Sequence, residues 1–200
     1  MARKFKRSPL ALALLALLHE SPMHPYKMQR LIKERGKDQI INVEQRASLY
    51  QTINQLHREG LIQPWETHQP EGFPERTLYK LTDLGHETAL EWLRDMLSTP
   101  AQEYPEFPAA VSLLPLLTTD DAIQQLRIRE SKLVAHINAL EAELKTVHLP
   151  RLFLLESEYT HLILDTELKW VRSVIADLES GQLSWHHDWL RPDAPPENDT

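Results

Sequence analysis

The chain has 200 residues, with 22 Lys and Arg against 29 Asp and Glu, a formal net charge of −7 at pH 7, and no cysteine. That length accommodates one large domain or two small ones, and the 42% apolar fraction is enough for a core. Without cysteine, neither a disulfide framework nor a thiolate metal site can form, which fits a reducing cytoplasm.

The charge is distributed unevenly. Residues 1–58 hold eleven Lys or Arg against four Asp or Glu, a net +7, while residues 99–200 hold eight against seventeen, a net −9. A basic N-terminal part on an acidic protein points to a polyanionic partner for that part alone, although some of these cations are ordinary solvated surface. The first residues, with Arg3, Lys4, Lys6 and Arg7 ahead of a Leu- and Ala-rich run, have the outline of a signal peptide. His19 and Glu20 stand where a small-residue cleavage site belongs, so the run reads instead as a buried helix. It is also far shorter than the ~18 apolar residues that suggest a membrane span.

In chain order, the first helix is expected over 8–18, with Ser8 as its cap and Pro9 at its first position. A second runs over about 24–35 and stops at Gly36. The third, about 44–58, has Leu49, Ile53 and Leu56 on one face. Its other face carries Ser48, Tyr50, Gln51, Asn54 and Gln55, with no charge between Arg46 and Arg58. Two β-prone segments, about 61–67 and 76–82, flank a turn at 69–75. Thr82 or Asp83 then caps a helix to about 97.

Three helices followed by a hairpin is the order of a winged helix-turn-helix, in which the third helix enters the DNA major groove. Amides and hydroxyls suit that place, because base edges present donors and acceptors there. Ser48, Tyr50, Gln51, Asn54 and Gln55 are therefore the candidate base readers, with Arg46 beside them, and Tyr26 and Lys27 are assigned to phosphates. Arg76, with His68, would serve the wing on phosphates or in the minor groove; the alternative is that Arg76 only pairs with Glu75 or Glu66. The basic N-terminal arm is either a phosphate contact or a solvated tail.

Beyond this part, residues 99–118 are a Pro-rich linker and a short helix near Phe107, expected to be buried. Residues 119–148 are the most regular stretch, capped by Thr119 or Asp120. Positions 123, 126, 130, 133, 137, 140, 144 and 147 alternate steps of three and four, and only Glu130 breaks the apolar seam. Ile123, Leu126, Leu133, Ile137, Leu140 and Leu144 would form a dimer interface, or the seam would fold back on the next helix, about 151–179, within one chain, or both at once. Gly181 ends that helix, and 192–200 is expected to be a disordered tail.

These residues resemble the PadR-type transcriptional regulators. The resemblance rests on Leu12, Leu14 and Leu15 in the first helix and on Pro22, His24 and Tyr26 before the second. It extends to Ala47, Leu49, Tyr50 and Leu56 in the third, then Gly60, Leu61 and Ile62, and to Arg76, Tyr79, Leu81, Thr82 and Gly85 at the wing. It covers about residues 8–97. The remainder, including Phe107 and Lys169-Trp170-Val171, looks like that family's C-terminal dimerisation region. Pro25 stands where the family has glycine and Gln51 where it has proline, so the fold is expected to persist and the operator to differ.

The expected architecture is mainly α with a small β-hairpin wing. A winged helix-turn-helix occupies 1–98, a linker 99–118, a coiled-coil-like helical dimerisation domain 119–183 and a tail 184–200. The resemblance implies a homodimeric repressor that binds double-stranded DNA at a pseudo-palindromic operator and releases it when an effector binds. Trp92, Phe107, Tyr159 and Trp170 are candidates for an aromatic or drug-like effector, or simply core. No catalytic constellation, cofactor motif or membrane anchor is expected. His186, His187 and Asp188 have metal-ligand residue types but not the spacing of a zinc helix. The rival reading is a winged-helix protein-interaction module that never touches DNA, which salt-sensitive binding to duplex DNA would distinguish.

Overall fold

A computed structural model describes residues 7–68 and 76–185. The expected tail at 192–200, the His186–Asp188 cluster and the wing turn at 69–75 lie outside the described residues. The chain divides into two units, Met1–Gln102 and Glu103–Thr200.

In the first unit, α1 (Pro9–Glu20) starts at Ser8, whose hydroxyl accepts from the Ala11 amide at 3.1 Å. Because α1 is apolar almost all round, it serves as the centre of the unit, and Ala11, Leu14 and Leu15 are fully buried. The second helix, α2 (Pro25–Glu34), is capped by His24, whose ring Nδ1 accepts from the Tyr26 amide at 3.1 Å. Pro25 costs this helix nothing, since an amide in the first turn would have no intrahelical partner. Gly36, at φ 65°, takes the left-handed conformation that ends the segment.

The connection to α3 (Arg46–Arg58) is pinned from inside. Buried Gln29 donates from Nε2 to the Val43 carbonyl at 2.7 Å, which leaves neither group unsatisfied. Strands β1 (Ile62–His68) and β2 (Arg76–Leu81) pair antiparallel, with Ile62 opposite Leu81 and His68 opposite Arg76. The register shifts between Pro64 and Glu66, so Trp65 is the extra residue of a bulge. Tyr79 also exchanges two backbone hydrogen bonds with Met23, at 3.0 and 3.1 Å, which ties the wing to the α1–α2 connection. Helix α4 (Asp83–Ser98) is capped by Thr82 rather than Asp83, because the Gly85 amide donates to Thr82 Oγ1 at 3.0 Å.

In the second unit, α5 (Glu106–Ser112) has no buried residue, contrary to the expectation of a buried helix. Phe107 and Val111 are only half-covered. Helix α6 (Thr119–Thr146) is capped by Thr118, one residue before the expected caps, through its hydroxyl and the Asp121 amide. Pro150 and a turn of 3₁₀ helix lead into α7 (Leu155–Glu179), which folds back along α6.

The fold-back reading of the seam is realised within the chain. Leu126, Leu133 and Ile137 are buried in a cluster with Leu168, Val171, Ile175 and Leu178 of the same chain. Leu140 is buried too, while Ile123 and Leu144 are half-buried. Glu130, which breaks the seam, accepts from Arg172 at 2.7 Å. His161 meets Glu141 at 3.0 Å, and Arg127 pairs with Glu179, so partners descend α7 as they ascend α6: the pair is antiparallel.

Two substitutions test this packing. A Cβ at position 85 would lie 2.0 Å from the Leu61 carbonyl oxygen, so Gly85→Ala should lower stability by about 1–3 kcal/mol in urea unfolding. Leu133→Asp places a charge inside the α6–α7 pair and should melt helix in circular dichroism. A Leu133→Asp protein with full helicity would show that the seam is not buried within the chain.

Candidate nucleic-acid interface

Helix α3 separates its two faces cleanly. Leu49, Ile53 and Leu56 are at most 1% exposed, and Thr52 joins them by donating its hydroxyl to the Ser48 carbonyl at 2.8 Å. Burial of that stripe fixes which way the remainder points. Ser48, Tyr50, Gln51 and Asn54 are exposed, and Gln55 is half-exposed at the flank. Ala47, Gln51, Asn54 and Arg58 follow one another at helical spacing, so they share one stripe. Exposed Arg58 was missed by sequence reasoning, which treated it as the limit of the uncharged face. Its i+4 spacing from Asn54 would have found it.

Burial raises the Tyr79 phenol above the usual tyrosine range, and the neighbouring Tyr50 phenol adds to the shift. The His57 ring packs edge-on to Tyr79, with centroids 6.2 Å apart. The root of the wing is thus held against the C-terminal half of α3. At the other end of the hairpin, His68 and Arg76 face each other as the last described pair, and their side chains lie outside what the structure describes. On the bulge, half-exposed Trp65 carries Lys80, whose Nζ is 4.0 Å from the ring centroid.

The cations of the unit divide into two sets. Arg35 holds Glu20 through a fork at 2.5 and 2.7 Å, and this lowers the Glu20 carboxyl below its ordinary range. Arg30 pairs with Glu34 at 3.2 Å, and Arg7 with Asp95. Those three are engaged inside the unit. Lys27, Arg46 and Arg58 are exposed, as is Tyr26, beside the N-terminus of α2 where orphan amides favour an anion.

The four candidate effector aromatics belong to different units, one in the first and three in the second. Trp92 packs against the core of the first unit. In the second unit, Phe107 and Trp170 meet edge to face at 5.8 Å and share a groove between α5, α6 and α7. Tyr159 lines a different cavity, with Leu144, Leu155 and Leu162.

The chain matches one family model, described as the transcriptional regulator PadR-like family, over residues 14–91. No curated protein matches its sequence. Among solved structures, Bacillus subtilis PadR in complex with operator DNA is similar at TM-score 0.66 and 20% identity, over 86% of this chain and 99% of that one. The same protein in complex with p-coumaric acid is similar at TM-score 0.68 and 19% identity, over 85% and 98%. A PadR-like transcriptional regulator from Bacillus cereus is similar at 0.59 and 15%, over 88% and 99%. The likeness of fold thus runs through both units, and the match to the model of the PadR-like family of transcriptional regulators, over residues 14–91, spans α3 and the wing.

Proposed function

We propose that this DNA-binding regulator is a homodimeric repressor that reads a pseudo-palindromic operator through α3 and releases it when a small molecule binds. The observation that carries the reading is the uncharged polar stripe of α3, turned outward by the burial of Leu49, Ile53 and Leu56. Asn54 and Gln51 have the paired donor and acceptor that an adenine edge requires, and Ser48 and Gln55 can serve either role. Tyr50 reaches a thymine methyl or a phosphate. Lys27, Tyr26, Arg46 and Arg58 hold phosphates, and Arg76 with His68 serves the wing. Such a protein works where the chromosome is, in the cytoplasm, and needs no catalytic group or cofactor. The operator DNA and p-coumaric acid bound by the Bacillus subtilis relative support both halves of the reading.

Two copies are required because one winged domain touches too few base pairs for tight specific binding, and successive major grooves lie ~34–36 Å apart. Most of the α6 seam is covered by α7, so the dimer is placed on another surface. The turn between α6 and α7 offers one. Leu149, Leu152, Phe153, Leu155, Tyr159 and Leu162 are all exposed there, Leu152 at 70% and Tyr159 at 67%. A cluster of that size is unusual on a monomer.

Three measurements test the proposal. In a titration against salt, the protein should prefer DNA from its own upstream region over random DNA by ~10³ or more; equal affinity at every salt would favour a protein partner instead. Asn54→Ala should cost ~1–3 kcal/mol on the operator and relax base preference, whereas Lys27→Ala should weaken all sequences alike. Equal losses on operator and random DNA in both variants would refute the division of roles. Leu152→Asp combined with Leu162→Asp should give a folded monomer in sedimentation, and an unchanged dimer mass would move the interface elsewhere.

A further inference from the structure

We infer that the groove between α5, α6 and α7 is a binding site for a flat, uncharged aromatic molecule, an inference that rests on the effector reading above for its consequence at the operator. The groove has a volume of about 680 Å³, within the ~300–1,000 Å³ usual for small-molecule sites. Phe107, Val111, Ile163 and Trp170 form its walls. The rings of Phe107 and Trp170 stand at 83° to each other. A third ring placed beside them extends the same edge-to-face arrangement, which aromatic quadrupoles favour. Trp170 is 43% exposed, so its indole still has area to bury.

The polar end of the groove sets the charge of the ligand. Arg129 donates from Nε to Glu167 Oε1 at 2.6 Å, and its Nη2 lies 2.5 Å from the same oxygen. Its guanidinium carbon sits 3.4 Å from the centroid of the Phe107 ring. This pair is neutral as a unit and already stacked. An aromatic carboxylate would have to share Arg129 with Glu167, and an aromatic ammonium would have to share Glu167 with Arg129. In either case the pair has no net charge left to offset the ion's desolvation against an apolar wall. An uncharged ligand disturbs neither partner, and a hydroxyl or carbonyl on its rim gains a charge-assisted hydrogen bond from the pair.

The test uses the full-length protein and three probes with one ring system: naphthol, naphthoate and naphthylmethylammonium, titrated by calorimetry in the absence of DNA. Naphthol should bind about tenfold or more tightly than either ion. Trp170→Ala should weaken it by a similar factor, and Trp170→Phe should restore part of the loss. Trp170 is surface-exposed, so neither variant should change the circular dichroism. Tightest binding of naphthoate or naphthylmethylammonium would overturn the charge assignment. Equal naphthol affinity in wild type and Trp170→Ala would overturn the site. No naphthol binding, together with loss of the dimer in Trp170→Ala, would overturn the proposal and assign the groove to a second copy of the chain. Because binding is read without DNA, its outcome stands apart from the regulator reading. Naphthol bound at Trp170 in a protein without operator preference would support the site while removing the repressor.

Discussion

The burial of Leu49, Ile53 and Leu56 beneath α3 is the constraint on which the rest of the first unit depends. These side chains pack into a core built around α1, where Leu14 and Leu15 are also fully buried. Apolar burial is non-directional, but a helix with one apolar stripe has a single rotation that hides it. That rotation sends Gln51, Asn54 and Arg58 outward together. The exposed polar stripe is thus a by-product of core packing, and its precision is inherited from the close packing of leucines.

Directional contacts then hold what packing alone would leave loose. Gln29 closes the connection ahead of α3 by bonding to Val43, and Thr82 joins the end of β2 to the β1 side by donating to the Gly60 carbonyl at 2.7 Å. Tyr79 gathers the most of these roles. Its backbone bonds Met23, its ring meets His57, and its phenol lies near Tyr50. Because Tyr79 of the wing meets His57 of α3, the wing and α3 are held as a pair. A half-buried tyrosine suits this role, since its ring packs on the core while its hydroxyl stays at the edge.

The second unit follows the same logic with a different outcome. Its long seam is satisfied within the chain, and the cross-helix pairs Arg172–Glu130, Arg129–Glu167 and His161–Glu141 set the antiparallel register. Helix α7 carries apolar residues on more than one face, so pairing with α6 covers only part of them. Trp170 and Ile163 are left in a groove, and Leu155, Tyr159 and Leu162 are left on the surface. Such surplus apolar area is what association or ligand binding draws on. Trp185 closes the other end of the unit by donating its indole N–H to the Leu117 carbonyl at 2.9 Å.

Most of the architecture was legible in the residues. Helical periodicity located α1, α2, α3, α6 and α7, because each buries a stripe whose spacing is local to the chain. Gly36 and Gly60 marked ends correctly, since both adopt the left-handed backbone that glycine tolerates best. The exposed polar face of α3 was equally plain, being the complement of its buried one. The cap of α6 slipped by one residue to Thr118, and at α4 the choice fell on Thr82 of the two candidates, because only the amide geometry chooses between adjacent Thr and Asp residues. Whether the α6 seam joins two chains or folds back, and which of Trp92, Phe107, Tyr159 and Trp170 share a site, could not be read from one dimension. Periodicity states that a face must be covered, and the tertiary structure alone supplies the partner, because apolar surfaces carry no address of their own.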